Sequence, residues 1–321
     1  MTASPTNNEQ QIDISIIVCT RNRSGSLSGT LQSLAALRTS HQWEAVLVDN
    51  ASTDATAAVI AAADNCGGRL RYLYEPRVGL GAARDSAWRM AKGRIVCFTD
   101  DDCYLGPNFI DEMIAAFAAR PQAGCIAGRI LLFDPTDAAI TIDERTEAVR
   151  TAPYSFVHPG MLQGANMAFR REALEASGGF DPAMGSGTSY PCEDIDALTG
   201  VLWSGYEAWF DPRPFVYHHH GRKAADLPRL VDDYNRGRGA FYAKYVGRRD
   251  TRSLYLRNWI LSPRYNPYYA IRSFRVEIGS SLRYARQFQG PMAPFRISAA
   301  AVAMLMVWSW ARLRDATTSK G

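Results

Sequence analysis

Four apolar runs, each followed by polar residues, dominate the first hundred positions of the chain. Residues 14–19 break into Thr20-Arg21-Asn22-Arg23-Ser24, and residues 44–48 into Asp49-Asn50-Ala51-Ser52-Thr53-Asp54. Residues 70–74 form the third run, and residues 95–98 the fourth, which leads through Thr99 into Asp100-Asp101-Asp102. Short, continuous, β-branched or aromatic runs bounded by charge read as strands buried on both faces. The stretches between them, 27–37 (apolar at 27, 31, 34 and 37), 55–63 and 79–91, read as helices. Strands alternating with helices give an α/β chain with a parallel, doubly wound sheet. Ligands of such sheets bind in the crevice at the carboxyl ends of the strands. Thr20, Arg21, Asn22, Asp49, Asn50 and Asp100–Asp102 are therefore expected to face one crevice.

The Asp triplet is an electrostatic puzzle, because adjacent carboxylates repel one another. Alone, it reads as a solvated acidic turn ahead of Pro107 and a helix over 108–117. Three polar strand ends converging on one crevice favour a functional reading instead. Oxygen ligands suit Mg²⁺ or Mn²⁺, and such a cation carrying a phosphorylated ligand would relieve the repulsion.

Val78-Gly79-Leu80-Gly81-Ala82-Ala83-Arg84 contains a partial dinucleotide-binding pattern. Arg84 replaces the third glycine and the stretch follows the third strand, so that reading is rejected. A helix start facing the crevice, with Arg84 one turn in and able to meet phosphate or a base carbonyl, is expected instead. Further along, 124–133 and 163–169 read as strands, 134–159 as irregular surface, and 171–176 as a short helix. Residues 178–187 form a glycine-rich loop of the kind that closes over ligands. It leads to Pro191-Cys192-Glu193-Asp194-Ile195-Asp196 and a helix over 197–204. Acidic residues there serve equally as helix-start residues or as chemistry. Strands at 208–210 and 215–217 end in His218-His219-His220, and His218 or His220 could complete a metal site begun by Asp102.

Charge is unevenly distributed along the 321 residues. From Arg213 onward there are 20 Lys/Arg against 6 Asp/Glu, a balance of +14; the first 212 residues hold 16 against 26, or −10. A basic, aromatic-rich tail fits an anionic membrane surface or a charged ligand, whereas no nucleic-acid-binding module is recognisable. Residues 270–289 read as an Arg-rich amphipathic helix after a break at 263–267. The apolar run 297–311, with Trp308 and Trp310 and flanked by Arg296, Arg312 and Arg314, is short for a membrane span and suits an interfacial helix. A buried helix or an oligomer contact is the competing reading. The six cysteines lack any Cys-x-x-Cys pair, which points to free thiols in a reducing compartment. Residues 1–13 are polar and flexible in character, with no signal-peptide core, so a cytoplasmic location, at the cytoplasmic face of the membrane, is expected.

The ordered set Thr20-Arg21-Asn22, Val48 through Asp54, Gly79 through Arg84, Thr99 through Asp102 and Cys192-Glu193-Asp194 resembles family 2 glycosyltransferases. The resemblance covers residues 14–221, and its tail is similar to the membrane-proximal ends of members that build cell-surface polysaccharides. It implies the GT-A nucleotide-sugar fold, with 14–103 as nucleotide-binding half, 104–222 as acceptor and catalytic half, and 223–321 as a basic, membrane-proximal helical extension. It implies that Thr20, Arg21, Asn22, Asp49, Asn50, Arg84, Asp100 and Asp101 line the nucleotide-sugar, and that Asp100 and Asp102 hold Mg²⁺ or Mn²⁺; His218, whose role varies in the family, is kept as a metal or phosphate contact. Asp194 would be the general base and Glu193 would position it, giving inverting transfer from a nucleotide-diphospho-sugar to a glycan or lipid-linked glycan. Asp85 departs from the family, which often carries Asn there. A nucleotidyltransferase of related fold would leave Glu193 and Asp194 idle, and a non-catalytic binding protein would not need all three acidic positions.

Overall fold

The computed structural model describes residues 11–63, 66–265 and 271–318. The first strands and helices follow the sequence reading: β1 Ile14–Thr20, α1 Leu27–Ala35, β2 Trp43–Asp49, α2 Thr56–Ala62, β3 Leu70–Tyr74, α3 Leu80–Met90 and β4 Ile95–Asp100. Next come β5 Cys103–Leu105, α4 Phe109–Ala118, β6 Ala123–Leu132, β7 Val149–Thr151, β8 Asn166–Arg170, α5 Arg171–Ser177, α6 Glu193–Trp203 and β9 Glu207–His218. Four helices close the chain: α7 Leu227–Gly247, α8 Arg252–Tyr265, α9 Ile271–Phe288 and α10 Ala293–Thr318.

The strands form one mixed sheet in the order β3-β2-β1-β4-β8-β6-β9-β5, with β7 on β9. The pairs β3-β2, β2-β1 and β1-β4 are parallel, as alternation with helices requires. Antiparallel β8 beside β4 ends the doubly wound part. Every residue of β2 is buried, as are six of the seven of β1, which explains their unbroken apolar runs.

Three readings are corrected. The two short strands at 208–210 and 215–217 are one strand, β9. Its Asp211-Pro212-Arg213-Pro214 stretch crosses a register slip opposite Gly128, where a Cβ would lie 2.1 Å from the Pro214 carbonyl oxygen. Within 134–159, β7 forms on the outer side of β9 from mostly exposed residues with no apolar run to announce them. The helix expected at 197–204 starts at Glu193, so both candidate carboxylates lie inside its first turn.

The C-terminal helices share a core with the sheet. One buried cluster joins Ile17, Phe98 and Phe169 to Phe241, Tyr245 and Trp259 of α7 and α8, and to Ile297, Ala300 and Met304 of α10. Gly239 lets α7 approach α9 closely, since a Cβ there would lie 2.2 Å from the Glu277 carbonyl oxygen. The apolar run thus buries one face over residues 297–304. Phe295, Val302 and Met306 remain more than half exposed on α10. Among the described residues no helix is long and apolar enough to cross a membrane. The break expected at 263–267 falls partly within α8, which runs to Tyr265; residues 266–270 lie outside the described residues, as do residues 1–10 and the side chains of Trp308, Trp310, Arg312 and Arg314.

Candidate active site

Parallel register sets the floor of the site. Thr20 pairs with Asp49, and Cys19 with both Val48 and Asp100, so β1, β2 and β4 end together at one rim of the sheet. At this rim Asp49 accepts a hydrogen bond from the Ser52 amide at 2.9 Å and one from the Tyr72 hydroxyl at 3.2 Å. Asn22, in a left-handed conformation, accepts the Thr53 amide at 2.7 Å and so ties the first strand-end loop to the second. Asn50 turns away from the open crevice: its side-chain amide donates to the carbonyls of Glu75 and Arg77 and its oxygen accepts the Gly79 amide at 2.8 Å. Arg21 is exposed.

The Asp triplet divides into three environments. Thr20 donates to Asp101 at 2.5 Å, and Thr30 donates to the Asp101 backbone carbonyl. Burial pushes the Asp101 carboxyl up to about 6, against the pull of Arg23. Asp102 sits between Arg23 (2.5 Å) and His218 Nε2 (3.3 Å). Burial works against its ionisation, but His218 and Arg23 hold it below the usual carboxylate range. His218 shows the counterpart: burial alone would lower it, and the hydrogen bond to Asp102 carries it above the ordinary imidazole value. Asp100 is the most open of the three and pairs with Arg84 at 3.1 Å.

Asp100, Asp102, Cys103 and His218 offer donor atoms within 4.8 Å of one another. Burial pushes the Cys103 thiol well up, and a thiol is a softer donor than Mg²⁺ or Mn²⁺ prefers. Two carboxylates and an imidazole remain, a donor set that suits a borderline-hard divalent cation. A second group, Asp134, Asp137 and His219, already has a cation, because the Lys223 ammonium lies 2.6 Å from Asp137. His220 faces that group, not Asp102: its nearest carboxylate is Asp137 at 3.8 Å.

Arg84 lies between the strand-end carboxylates and α6. It is buried, donates to Glu193 at 3.0 Å, to Asp100 at 3.1 Å and to the Gly164 carbonyl at 3.2 Å, and stacks over Phe98. Its described partners belong to the protein itself. The helix start expected to face the crevice is covered, because the Leu80 and Gly81 amides donate to the carbonyls of Ser186 and Met184 in the glycine-rich loop. Gly81 permits this, since a Cβ would lie within 2.4 Å of the Met184 and Asp181 carbonyl oxygens.

Across Arg84, the first turn of α6 presents Glu193 and Asp194. Burial pushes the Glu193 carboxyl up, while Arg84 works to keep it charged. Asp194 is half-buried; its Oδ2 accepts the Gly164 amide at 3.0 Å and its Oδ1 the Ile195 amide at 2.8 Å. Gly164 fits where no side chain would, with a Cβ only 2.5 Å from Arg84 Nη1 and 3.1 Å from Asp194 Cβ. Asp85, the departure from the family pattern, holds Trp88 Nε1 and Arg89 and does not reach the site.

Arg23, Asp196 and Lys244 were not singled out from sequence. Arg23 lies in the polar loop after β1, so position alone could have suggested it. Asp196 and Lys244 meet at 2.8 Å across 48 residues, with no local pattern to link them.

The rim of the sheet thus holds a divalent-cation donor set, a cleft lined by strand-end loops, and a carboxylate held opposite by a helix start. A groove of about 910 Å³ at the other end of the strands, lined by Trp43, Glu44, Arg69 and Arg71, lacks such convergence.

Comparison with known proteins bears on the family and the fold. A succinoglycan biosynthesis protein, ExoU, from Rhizobium meliloti is 29% identical over 142 residues, which is 40% of this chain and 41% of that protein. The chain spans less than half the length of such curated relatives. Among solved structures, residues 1–349 of Staphylococcus aureus TarS superpose with a TM-score of 0.60 at 14% identity, covering 96% of this chain and 92% of that one. The mannosyltransferase PcManGT from Pyrobaculum calidifontis, in complex with GDP-Man and Mn²⁺, gives a TM-score of 0.56 at 19% identity, covering 94% and 88%. These structural likenesses establish the GT-A fold. Residues 15–178 match the profile of glycosyl transferase family 2. With half of its length matched and the fold in agreement, the chain belongs to glycosyl transferase family 2.

Proposed function

We propose that the protein is an inverting, metal-dependent glycosyltransferase that moves a sugar from a nucleotide-diphospho-sugar to an acceptor hydroxyl on a glycan or lipid-linked glycan. The observation that carries this reading is the placement of Asp194 opposite the Asp100–Asp102–His218 donor set, with Arg84 joining the two sides. The strand-end loops bearing Thr20, Arg21, Asn22 and Asp49 form the nucleotide side. Asp100, Asp102 and His218 would hold Mg²⁺ or Mn²⁺, which when bound supplies electrostatic stabilisation to the departing nucleoside diphosphate.

Asp194 supplies the base. Its carboxylate takes the proton of the acceptor hydroxyl while that oxygen bonds to the anomeric carbon and the bond to the diphosphate breaks. One displacement inverts the configuration. The Gly164 and Ile195 amides fix the orientation of the carboxylate. Glu193 keeps Arg84 in place, and Arg84 holds Asp100 directly and Asp194 through Gly164, whose carbonyl accepts from Arg84 and whose amide donates to Asp194. General-base catalysis contributes about 10²–10⁴-fold. Asp194→Asn is therefore expected to keep nucleoside diphosphate binding and lower transfer by about that factor. Transfer at the wild-type rate would remove Asp194 from this role.

The acceptor side includes a membrane surface. On the last two helices and the turn between them Phe288, Met292, Phe295, Val302 and Met306 are exposed, and Arg283, Arg286 and Arg296 are exposed with them. Apolar side chains interleaved with arginine suit an anionic bilayer surface, with the helix lying in the interface. Sedimentation with phosphatidylglycerol vesicles should carry the protein down, and Phe295→Ser with Met306→Ser should leave it in the supernatant. Equal sedimentation of the double variant would refute this surface.

A further inference from the structure

Helix α7 crosses the entry to α6, and two of its residues make that crossing close. Gly237 rests on the backbone just before Glu193: a Cβ there would lie 1.8 Å from the Pro191 carbonyl oxygen and 3.1 Å from Cys192 Cβ. Seven residues on, two helical turns along the same face, the Lys244 ammonium donates to Asp196 at 2.8 Å and to Asp181 at 2.8 Å. Its neighbour Tyr245 donates to the Asp196 carboxylate and backbone carbonyl, both at 3.0 Å.

Both partners of Lys244 lead directly to the site. Asp196 lies in the first turn of α6, two residues after Asp194. Asp181 lies in the glycine-rich loop whose Met184 and Ser186 carbonyls cap α3, the helix that carries Arg84. One ammonium therefore ties together the helix bearing Asp194, the loop that holds the Arg84 helix, and the C-terminal helices. Burial raises the Asp196 carboxyl, and Lys244 is the cation that offsets it. Without that cation the first turn of α6 would carry an uncompensated buried acid.

We propose that Lys244 is a positioning residue for sugar transfer: it fixes the first turn of α6, and with it Asp194, against Gly164 and Arg84. This rests on the assignment of Asp194 as base. Both hydrogen-bond partners of Lys244 are carboxylates of the chain itself, so its removal is expected to act on the rate and not on nucleotide affinity. A displacement of about 1 Å at a reacting group costs about 10²-fold in rate.

The test uses the full chain with Mn²⁺. Turnover is read as nucleoside diphosphate released from whichever sugar in a panel of UDP-, GDP- and dTDP-sugars gives the highest rate. Affinity for the matching nucleoside diphosphate is read by calorimetry. Lys244→Met is expected to lower kcat by about 10²-fold with nucleoside diphosphate affinity unchanged, and Lys244→Arg, which keeps the charge, to recover most of it. A folded Lys244→Met enzyme with wild-type kcat overturns the proposal, as does equal loss of kcat in the Met and Arg variants. If Lys244→Met does not fold, Asp181→Asn cuts only the loop arm and carries the test: reduced kcat at unchanged affinity supports the brace, and wild-type kcat overturns it. Asp194→Asn, measured alongside, separates the two ideas. Wild-type transfer in that variant removes the base, whereas an inactive Asp194→Asn beside a fully active Lys244→Met removes the brace alone.

Discussion

Two sets of carboxylates face each other across this site, and they differ in how their charge is balanced. Asp101 and Asp102 are balanced by Arg23, whose side chain is 37% exposed and reaches in from a surface loop. Glu193 is balanced by Arg84, whose side chain is 3% exposed and is held by three acceptors. A half-buried guanidinium that reaches solvent gives way to a ligand at lower cost than one wholly enclosed and held by three acceptors. On the proposed mechanism the first set trades its counter-charge for a cation and a diphosphate, and the second keeps a fixed geometry while a proton moves.

Substitutions can break this contrast, and the largest effect belongs to the fixed side. Arg84→Met leaves Glu193 buried without its cation and should cost about 3–5 kcal/mol of stability, read as a fall in the urea midpoint. A midpoint equal to wild type would show that Arg84 is as dispensable as a surface charge. Gly164→Ala drives a methyl group against Arg84, which three hydrogen bonds hold in place. It should cost about 1–3 kcal/mol, and turnover should fall with it; a neutral substitution would mean that the arginine yields easily. Arg23→Met is the small effect and goes the other way. With the competing guanidinium gone, Mn²⁺ affinity in the absence of nucleotide should rise, by about fivefold at most. Weaker Mn²⁺ binding in this variant would mean that Arg23 supports the cation site and does not compete for it.

How much was legible in the sequence follows the same division. Strand ends announce themselves, because a buried strand must be continuous and apolar and the loop that follows must be polar. Thr20, Asp49 and the Asp triplet were placed at one rim on that pattern alone, and their parallel register bears out the rim. The other wall depends on contacts distant in sequence. Arg84 meets Glu193 across 109 residues and Lys244 meets Asp196 across 48, and neither pairing has a periodicity to betray it. The glycines at 79 and 81 suggested an open helix end. The same lack of side chains serves to admit the 181–186 loop, a use that only the packed chain reveals. The tail was open to two readings, since an apolar run reads alike whether its face meets lipid or, as at Ile297, Ala300 and Met304, the core of its own chain.

On the proposed mechanism the Asp102 side of the site exchanges its internal cation for a metal-bound diphosphate. Calorimetric titration of UDP and GDP into the wild type and Asp102→Asn, each with Mn²⁺ and with EDTA, tests it most directly. One of the two nucleotides is expected to bind the wild type with Mn²⁺, EDTA to abolish this binding, and Asp102→Asn no longer to respond to Mn²⁺. Nucleotide binding of equal strength in all four combinations would contradict it.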